Sequence, residues 1–247
     1  MAELAMYRKC CFLLGLLPLL LFSRDISTFS GKAYNDKKEL LFTEEYSVEK
    51  EGTAILNVTT KFISPDGSLL AELSSKFSEG NYLPAVLFTK ENSKHSYGTQ
   101  FLNETIELFK TTTSLQAKKQ RTLSIEKNMV AGHGFYFYIL SKLDSLLSGN
   151  SHQLVFLQPN RLSFYTFTMK ASFVTGSPSL VKVSLSIEGR LLKAFVSDIH
   201  LVLHKESGAL VSYEGLSGFF PFEDGSLKKI CVTYTEPTTI SSHREKI

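Results

Sequence analysis

Leu40-Leu41-Phe42-Thr43-Glu44-Glu45-Tyr46-Ser47-Val48 and, after Glu51-Gly52, Ala54-Ile55-Leu56-Asn57-Val58-Thr59-Thr60-Lys61-Phe62 are the segments whose reading decides the fold. In the first, Leu40, Phe42, Tyr46 and Val48 share one parity, with Thr43, Glu45 and Ser47 on the other. In the second, Ala54, Leu56, Val58 and Phe62 alternate with Asn57, Thr59 and Lys61. Alternation with period two is the mark of a strand buried on one side. The turn Ser64-Pro65-Asp66-Gly67 follows, with Pro where φ is preset and Gly at the last position. Further alternating stretches cover 69–77, 85–91, 100–109, 112–126, 152–158, 162–173, 179–188, 191–204, 209–214 and 227–234, giving about a dozen strands. Their short connections join antiparallel neighbours, because a parallel pair needs a long crossover.

One segment departs from this rhythm. Phe135, Tyr138, Ile139, Leu143, Leu146 and Leu147 recur at spacings of three and four, which predicts a helix near 135–148 that stops at Gly149-Asn150. A flat open sheet of about a dozen strands would curl or split. The expected fold is therefore mainly β: a bent antiparallel sheet or incomplete β-barrel with one inserted α-helix, on its concave face or over its mouth.

The N-terminus carries an address. Arg8 and Lys9 precede an apolar run over 10–22, which is 13 residues long and ends at Ser23, Arg24 and Asp25. A helix of that length reaches roughly 20 Å, against a hydrocarbon core of about 30 Å, so the three-part pattern reads as an export signal. Cleavage after Ser23 or after Ser30 and retention as a short anchor all remain open. The expected organisation is an export segment over 1–30, one β domain over 31–236 and a polar tail over 237–247, with the protein exported.

Removing residues 1–30 takes away Arg8, Lys9 and Arg24 with Glu3 and Asp25, leaving 24 basic and 22 acidic residues. That balance lacks the basic excess of a nucleic-acid binder. Cys231 is the one cysteine left, so stability must come from burial.

The groups that could carry chemistry are few. His200 and His204 are four apart, but on a strand this puts them about 13 Å from one another, so they cannot share a metal. His133, between Gly132 and Gly134, could act as a general base or anion contact. Ser217 lacks the full spacing of a nucleophile elbow. Cys231 reads as a small, partly buried strand residue. Glu44 and Glu104 each fall on an otherwise apolar parity and could do acid–base work if folded close together. No cofactor or metal is expected.

Gly31-Lys32-Ala33-Tyr34, Glu44-Glu45-Tyr46, the Ser-Pro-Asp-Gly turn, Pro159-Asn160-Arg161-Leu162 and Tyr213-Glu214-Gly215-Leu216-Ser217 together resemble an uncharacterised family of exported bacterial β-rich proteins. In architecture alone, the strand-rich sheet with its inserted helix is similar to periplasmic carriers of the LolA type, whose bent sheet and helices enclose a lipid cavity. The family resemblance implies an exported protein of the periplasm or cell envelope, and the architectural likeness suggests the expected function, a non-catalytic protein that binds a lipid or other apolar ligand. The helix residues Phe135, Tyr138, Ile139 and Leu143 would form one wall, and Phe164, Tyr165 and Phe167 another. An interaction module with a solid core and a hydrolase using Glu44, Glu104 or His133 are the alternatives. Association with the envelope membrane and the oligomeric state stay open.

Overall fold

The structure, a computed structural model, describes residues 24–78, 82–91, 93, 95–111, 118–189, 198–217 and 228–242. The apolar run over 10–22 lies outside them. Sixteen strands form one sheet, larger than the dozen read from the sequence. They are β1 (Arg24–Tyr34), β2 (Leu40–Glu51), β3 (Ala54–Ile63), β4 (Leu69–Lys76), β5 (Ala85–Lys90), β6 (Ser96–Leu102), β7 (Thr105–Thr111), β8 (Lys118–Ser124) and β9 (Met129–Val130), then β10 (His152–Gln158), β11 (Ser163–Val174), β12 (Ser177–Ile187), β13 (Ile199–His204), β14 (Leu210–Leu216), β15 (Lys229–Tyr234) and β16 (Thr238–Ser242). The single α-helix among the described residues, α1, spans Gly134–Leu147, within a residue of the expected bounds.

The sheet order runs β8 back to β1, then β15 back to β9, with β16 also pairing β1. The chain thus builds one half outward from β1, crosses over, and builds the other half back towards it. The two outermost strands, β8 and β9, are consecutive in sequence, and the 3-10 turn Pro159–Arg161 after β10 packs against β6 and β7. Lys110 Nζ donates to the Asn160 carbonyl at 2.9 Å and Arg121 Nη1 to the Leu162 carbonyl at 3.2 Å. These side chains bring the ends of the bent sheet together where no continuous ladder joins them, which makes the fold barrel-like.

All pairings are antiparallel except β9 with β10, which run parallel. That exception has a physical cause: a parallel pair needs a crossover, and α1 is the crossover between them.

Three other departures from the sequence reading have local causes. Residues 24–30, assigned to the export segment, are strand: β1 pairs with β2 along its whole length. Its polar and small residues, Ser27, Thr28, Ser30, Gly31 and Ala33, hide the alternation. The stretch read as one strand over 100–109 is a hairpin, because Asn103 adopts φ 54° and turns the chain between β6 and β7. Within the polar tail, Thr238–Ser242 forms β16 against Arg24–Thr28.

Burial divides into two apolar clusters. One fills the sheet around Phe42, Phe62, Phe88, Tyr97, Ile106 and Leu108. The other places Ile139, Leu143 and Leu146 of α1 on Leu154, Met169, Val183 and Leu185 of the sheet. The helix therefore rests on the concave face of β10–β13, one of the two placements expected for it. Between the clusters the interior is not filled.

Candidate functional site

A cavity of about 1300 Å³ lies inside the bent sheet. One wall is the exposed side of α1, with Phe135, Tyr136, Phe137 and Leu140; facing it are Phe29 and Val48 of the first half and Phe156, Tyr165, Phe167 and Leu201 of the second. Helical geometry explains which side of α1 is free. Successive residues advance by about 100°, so with Ile139, Leu143 and Leu146 buried on the sheet, Leu140 lies at the flank and Phe137 on the far side, facing the hollow, while Tyr136 sits at the border between core and hollow and touches both.

The six side chains expected to touch a ligand divide accordingly. Phe135 and Phe167 line the cavity, as does Tyr165. Tyr138, Ile139 and Leu143 are buried core residues on the sheet side of the helix, and the Tyr138 hydroxyl donates to the Gln153 carbonyl at 3.1 Å. Phe164 points outward, 39% exposed, with the Arg121 guanidinium 5.7 Å from its ring centre. The parity of β11 decides this: Tyr165 and Phe167 share the concave face, so Phe164 must take the convex one.

Part of the cavity lining is a polar group built from β2 and β15 on either side of β1. Glu44 of β2 is buried, and its Oε2 accepts hydrogen bonds from the Tyr46 hydroxyl at 2.8 Å and the Tyr234 hydroxyl at 3.1 Å. Gly31 of β1 is the register partner of both Glu44 and Tyr234 and separates them in the sheet. A Cβ on Gly31 would lie 2.6 Å from the Tyr234 ring, so the absent side chain is what lets that ring cross β1 to the carboxyl.

Just before α1, His133 is hydrogen-bonded through Nε2 to Thr60 Oγ1 at 2.7 Å and through Nδ1 to Ser75 Oγ at 2.8 Å. Its ring meets that of Tyr46 edge-on at 6.0 Å. The flanking glycines are needed for this approach: Gly132 has φ 50° and a Cβ there would sit 2.5 Å from Ser75 Oγ, while one on Gly134 would sit 2.0 Å from the Tyr82 carbonyl. They serve the chain's own contact with β4 and the segment before β5, not the approach of a ligand to the backbone.

Burial sets the protonation of both groups. It pushes the Glu44 carboxyl up to about 7, against the lowering effect of its two tyrosine donors. It pushes the His133 imidazole down to about 3, so the ring is neutral at neutral pH. Tyr46, Tyr213 and Tyr234 are all raised by burial and by the Glu44 charge beside them, and they remain hydrogen-bond donors.

The remaining candidates lie apart from this group. Glu104 is exposed in the β6–β7 turn, so it forms no carboxylate pair with Glu44. The buried acid of that hairpin is Glu107, paired with Lys118 at 2.6 Å and accepting from Gln100 at 2.8 Å. Cys231 is exposed on the convex face, not partly buried, because Ile230 and Val232 take the inward parity. His200 is bonded to Ser184 Oγ at 3.1 Å, whereas His204 lines the cavity. Ser217 is buried beside the cavity, and its Oγ accepts from the Lys228 backbone N–H at 3.3 Å. Among the described residues no three His, Cys, Asp or Glu side chains group as metal ligands.

Sequence reasoning missed Tyr46, Tyr234, Thr60 and Ser75. Tyr46 was accessible to it, two residues from Glu44 on the same face; Tyr234 required the sheet order.

A large sheet bent round an internal helix and hollow places the chain among β-barrel-like proteins. The crystal structure of a β-barrel-like protein of the domain of unknown function DUF1849, from Brucella abortus, matches it with a TM-score of 0.50 and 11% sequence identity, over 88% of this chain and 98% of that one. The likeness is one of fold, to a family that is itself uncharacterised. No protein-family model matches the chain, and no curated protein matches it.

Proposed function

We propose that this is an exported, non-catalytic protein of the bacterial envelope that carries or senses a lipid or other apolar molecule in the hollow of its sheet. The observation behind this reading is the cavity of about 1300 Å³ walled by aromatic and aliphatic side chains of both sheet halves and of α1. Ligand pockets are typically concave, mostly apolar, and equipped with a few convergent polar groups. Those polar groups are here the Glu44 carboxyl and its tyrosines. The apolar run over 10–22 supports export.

A hydrolase reading finds less support, because Glu104 does not converge with Glu44 and both His133 nitrogens are held by hydroxyls of the protein itself. A solid-core interaction module does not account for the hollow.

The test is saturable binding of a neutral probe that fluoresces in apolar surroundings, N-phenyl-1-naphthylamine, together with native mass spectrometry of protein purified without detergent. Binding at about one probe per chain, or a co-purifying lipid, is the expected result. Absence of both would remove the carrier reading.

A further inference from the structure

The cavity holds an unmatched charge site. Of its charged lining side chains, Lys50, Arg161, Glu206 and Glu236 are exposed or half-buried, at strand ends and in turns, whereas Glu44 is buried. Both tyrosine hydroxyls donate to Glu44 Oε2. Oε1 receives no hydrogen bond from a described residue, and it is not among the side-chain atoms sealed from contact. No described cationic side chain forms an ion pair with this carboxyl. A buried carboxylate without a counter-charge is costly, so a partner that brings one is favoured.

Beside the open oxygen stands an aromatic group of matching character. The rings of Phe29 and Tyr46 stack at 4.4 Å, and Tyr234 meets them edge-on at 6.3 and 6.1 Å. All three line the cavity. Aromatic rings together with a carboxylate are the chemistry that receives an organic cation. The same carboxylate opposes an anionic head, for which this part of the cavity offers no buried cation.

We propose that Glu44, with Phe29, Tyr46 and Tyr234, is the head-group site of the cavity, and that the apolar molecule it selects carries an ammonium group. The ammonium donates to Glu44 Oε1, and the hydrocarbon lies along the wall formed by Phe135, Tyr136 and Leu140. This assignment rests on the carrier reading and adds to it the class of ligand.

The test uses three probes that share one chain and differ in the head: dodecylamine, 1-dodecanol and dodecanoate, each below its micellar concentration, displacing N-phenyl-1-naphthylamine from the full-length mature protein. At pH 8 the amine should bind at least about tenfold more tightly than the alcohol, and dodecanoate more weakly than either. Because the Glu44 carboxyl is raised to about 7, the amine must expel its proton at pH 6, so the affinity for the amine should rise about tenfold from pH 6 to pH 8. The alcohol should show no such rise. The other titratable groups facing this carboxyl, Tyr46, Tyr213, Tyr234 and His133, are held outside that range by burial.

Glu44→Gln should abolish both the preference for the amine and the pH slope while keeping the alcohol. Equal affinity for amine and alcohol, or a slope that survives in Glu44→Gln, overturns the proposal and leaves the carrier reading standing. Failure of all three probes and of the dye overturns both. Should Glu44→Gln not fold, the wild-type comparison of the three heads at the two pH values decides alone, and a flat response counts against the proposal.

Discussion

The Tyr234 hydroxyl donates to the Glu44 carboxylate at 3.1 Å across 190 positions of sequence. Between the two lies Gly31, paired to both. The row Glu44–Gly31–Tyr234 joins the two halves of the sheet where β1 meets β15, so one contact ties the first half's buried acid to the last part of the second half.

That arrangement makes Gly31 a sensitive position. In Gly31→Ala the new methyl would sit 2.6 Å from Tyr234 Cε1 and 2.8 Å from Val232 Cγ1, and one of them must move. We expect a loss of about 1–3 kcal/mol from overpacking. The hydrogen bond to Glu44 should lengthen or break, which removes one of the interactions that lower the carboxyl and raises it further. Chemical denaturation and a carboxyl titration followed by NMR would check the two effects; an unchanged midpoint would mean that Tyr234 has room the structure does not show.

Stability should depend on pH through two groups of opposite sign. Glu44 is raised from 4.5 to about 7, so its contribution is complete below about pH 4.5 and is lost as pH rises through 7. His133 is lowered from 6.5 to about 3, so its contribution is present above pH 6.5 and is lost as pH falls through 3. Between pH 4.5 and 6.5 the two slopes oppose, giving a flat region with an acid fall below it. Relative to wild type, Glu44→Gln should gain about 3 kcal/mol on going from pH 4.5 to pH 8. His133→Gln should lose the acid fall. Denaturation midpoints of the three proteins between pH 3 and 9 provide the measurement, and parallel curves would refute the assignment.

The parts of this architecture that were legible in the sequence are those fixed by local periodicity. The alternation of Phe42, Glu44, Tyr46 and Val48 against Thr43, Glu45 and Ser47 survives in β2, and the three- and four-residue spacing from Phe135 to Leu147 survives in α1. Periodicity also put Glu44 on the apolar face, where it is found. What was not legible depends on pairing. Nothing near Tyr234 says that its strand adjoins β1. Nothing in the apolar pattern of α1, which has large side chains on both sides, says that Leu143 meets sheet and Leu140 meets hollow. The outward position of Phe164 was legible from alternation alone, since it and Tyr165, adjacent on a strand, cannot both face inward.

If the chain is exported and processed as proposed, the cleavage site should follow the strand pairing. Residues 24–30 pair with 45–51 of β2, and 24–28 also pair with β16. Arg24 Nη1 meets Glu49 Oε1 at 3.0 Å and Ser27 Oγ meets Thr239 Oγ1 at 3.0 Å. Cleavage after Ser30 would delete this half of β1 and leave β16 without its partner. The mature chain is therefore expected to begin at or just before Arg24, and a form starting at Gly31 to melt at lower temperature. Intact-mass measurement on the exported protein checks the first point; a native N-terminus at Gly31 would contradict it.

The hollow itself can be tested with a pair of substitutions three residues apart on α1. Leu140 lines the cavity, whereas Leu143 is 7% exposed and packed in the cluster of Met169, Val183 and Leu185. Tryptophan at 140 has cavity volume to enter, so Leu140→Trp should keep most of the wild-type stability and reduce probe binding at least about tenfold by occupying ligand space. Tryptophan at 143 has no such space. Leu143→Trp should cost about 1–3 kcal/mol from overpacking while the remaining folded protein still binds the probe. Melting and N-phenyl-1-naphthylamine titration measured on both variants separate the effects. If the two substitutions behave alike, whether both destabilise without affecting binding or both abolish binding, then α1 does not divide a filled core from a ligand space, and the carrier reading loses its structural basis.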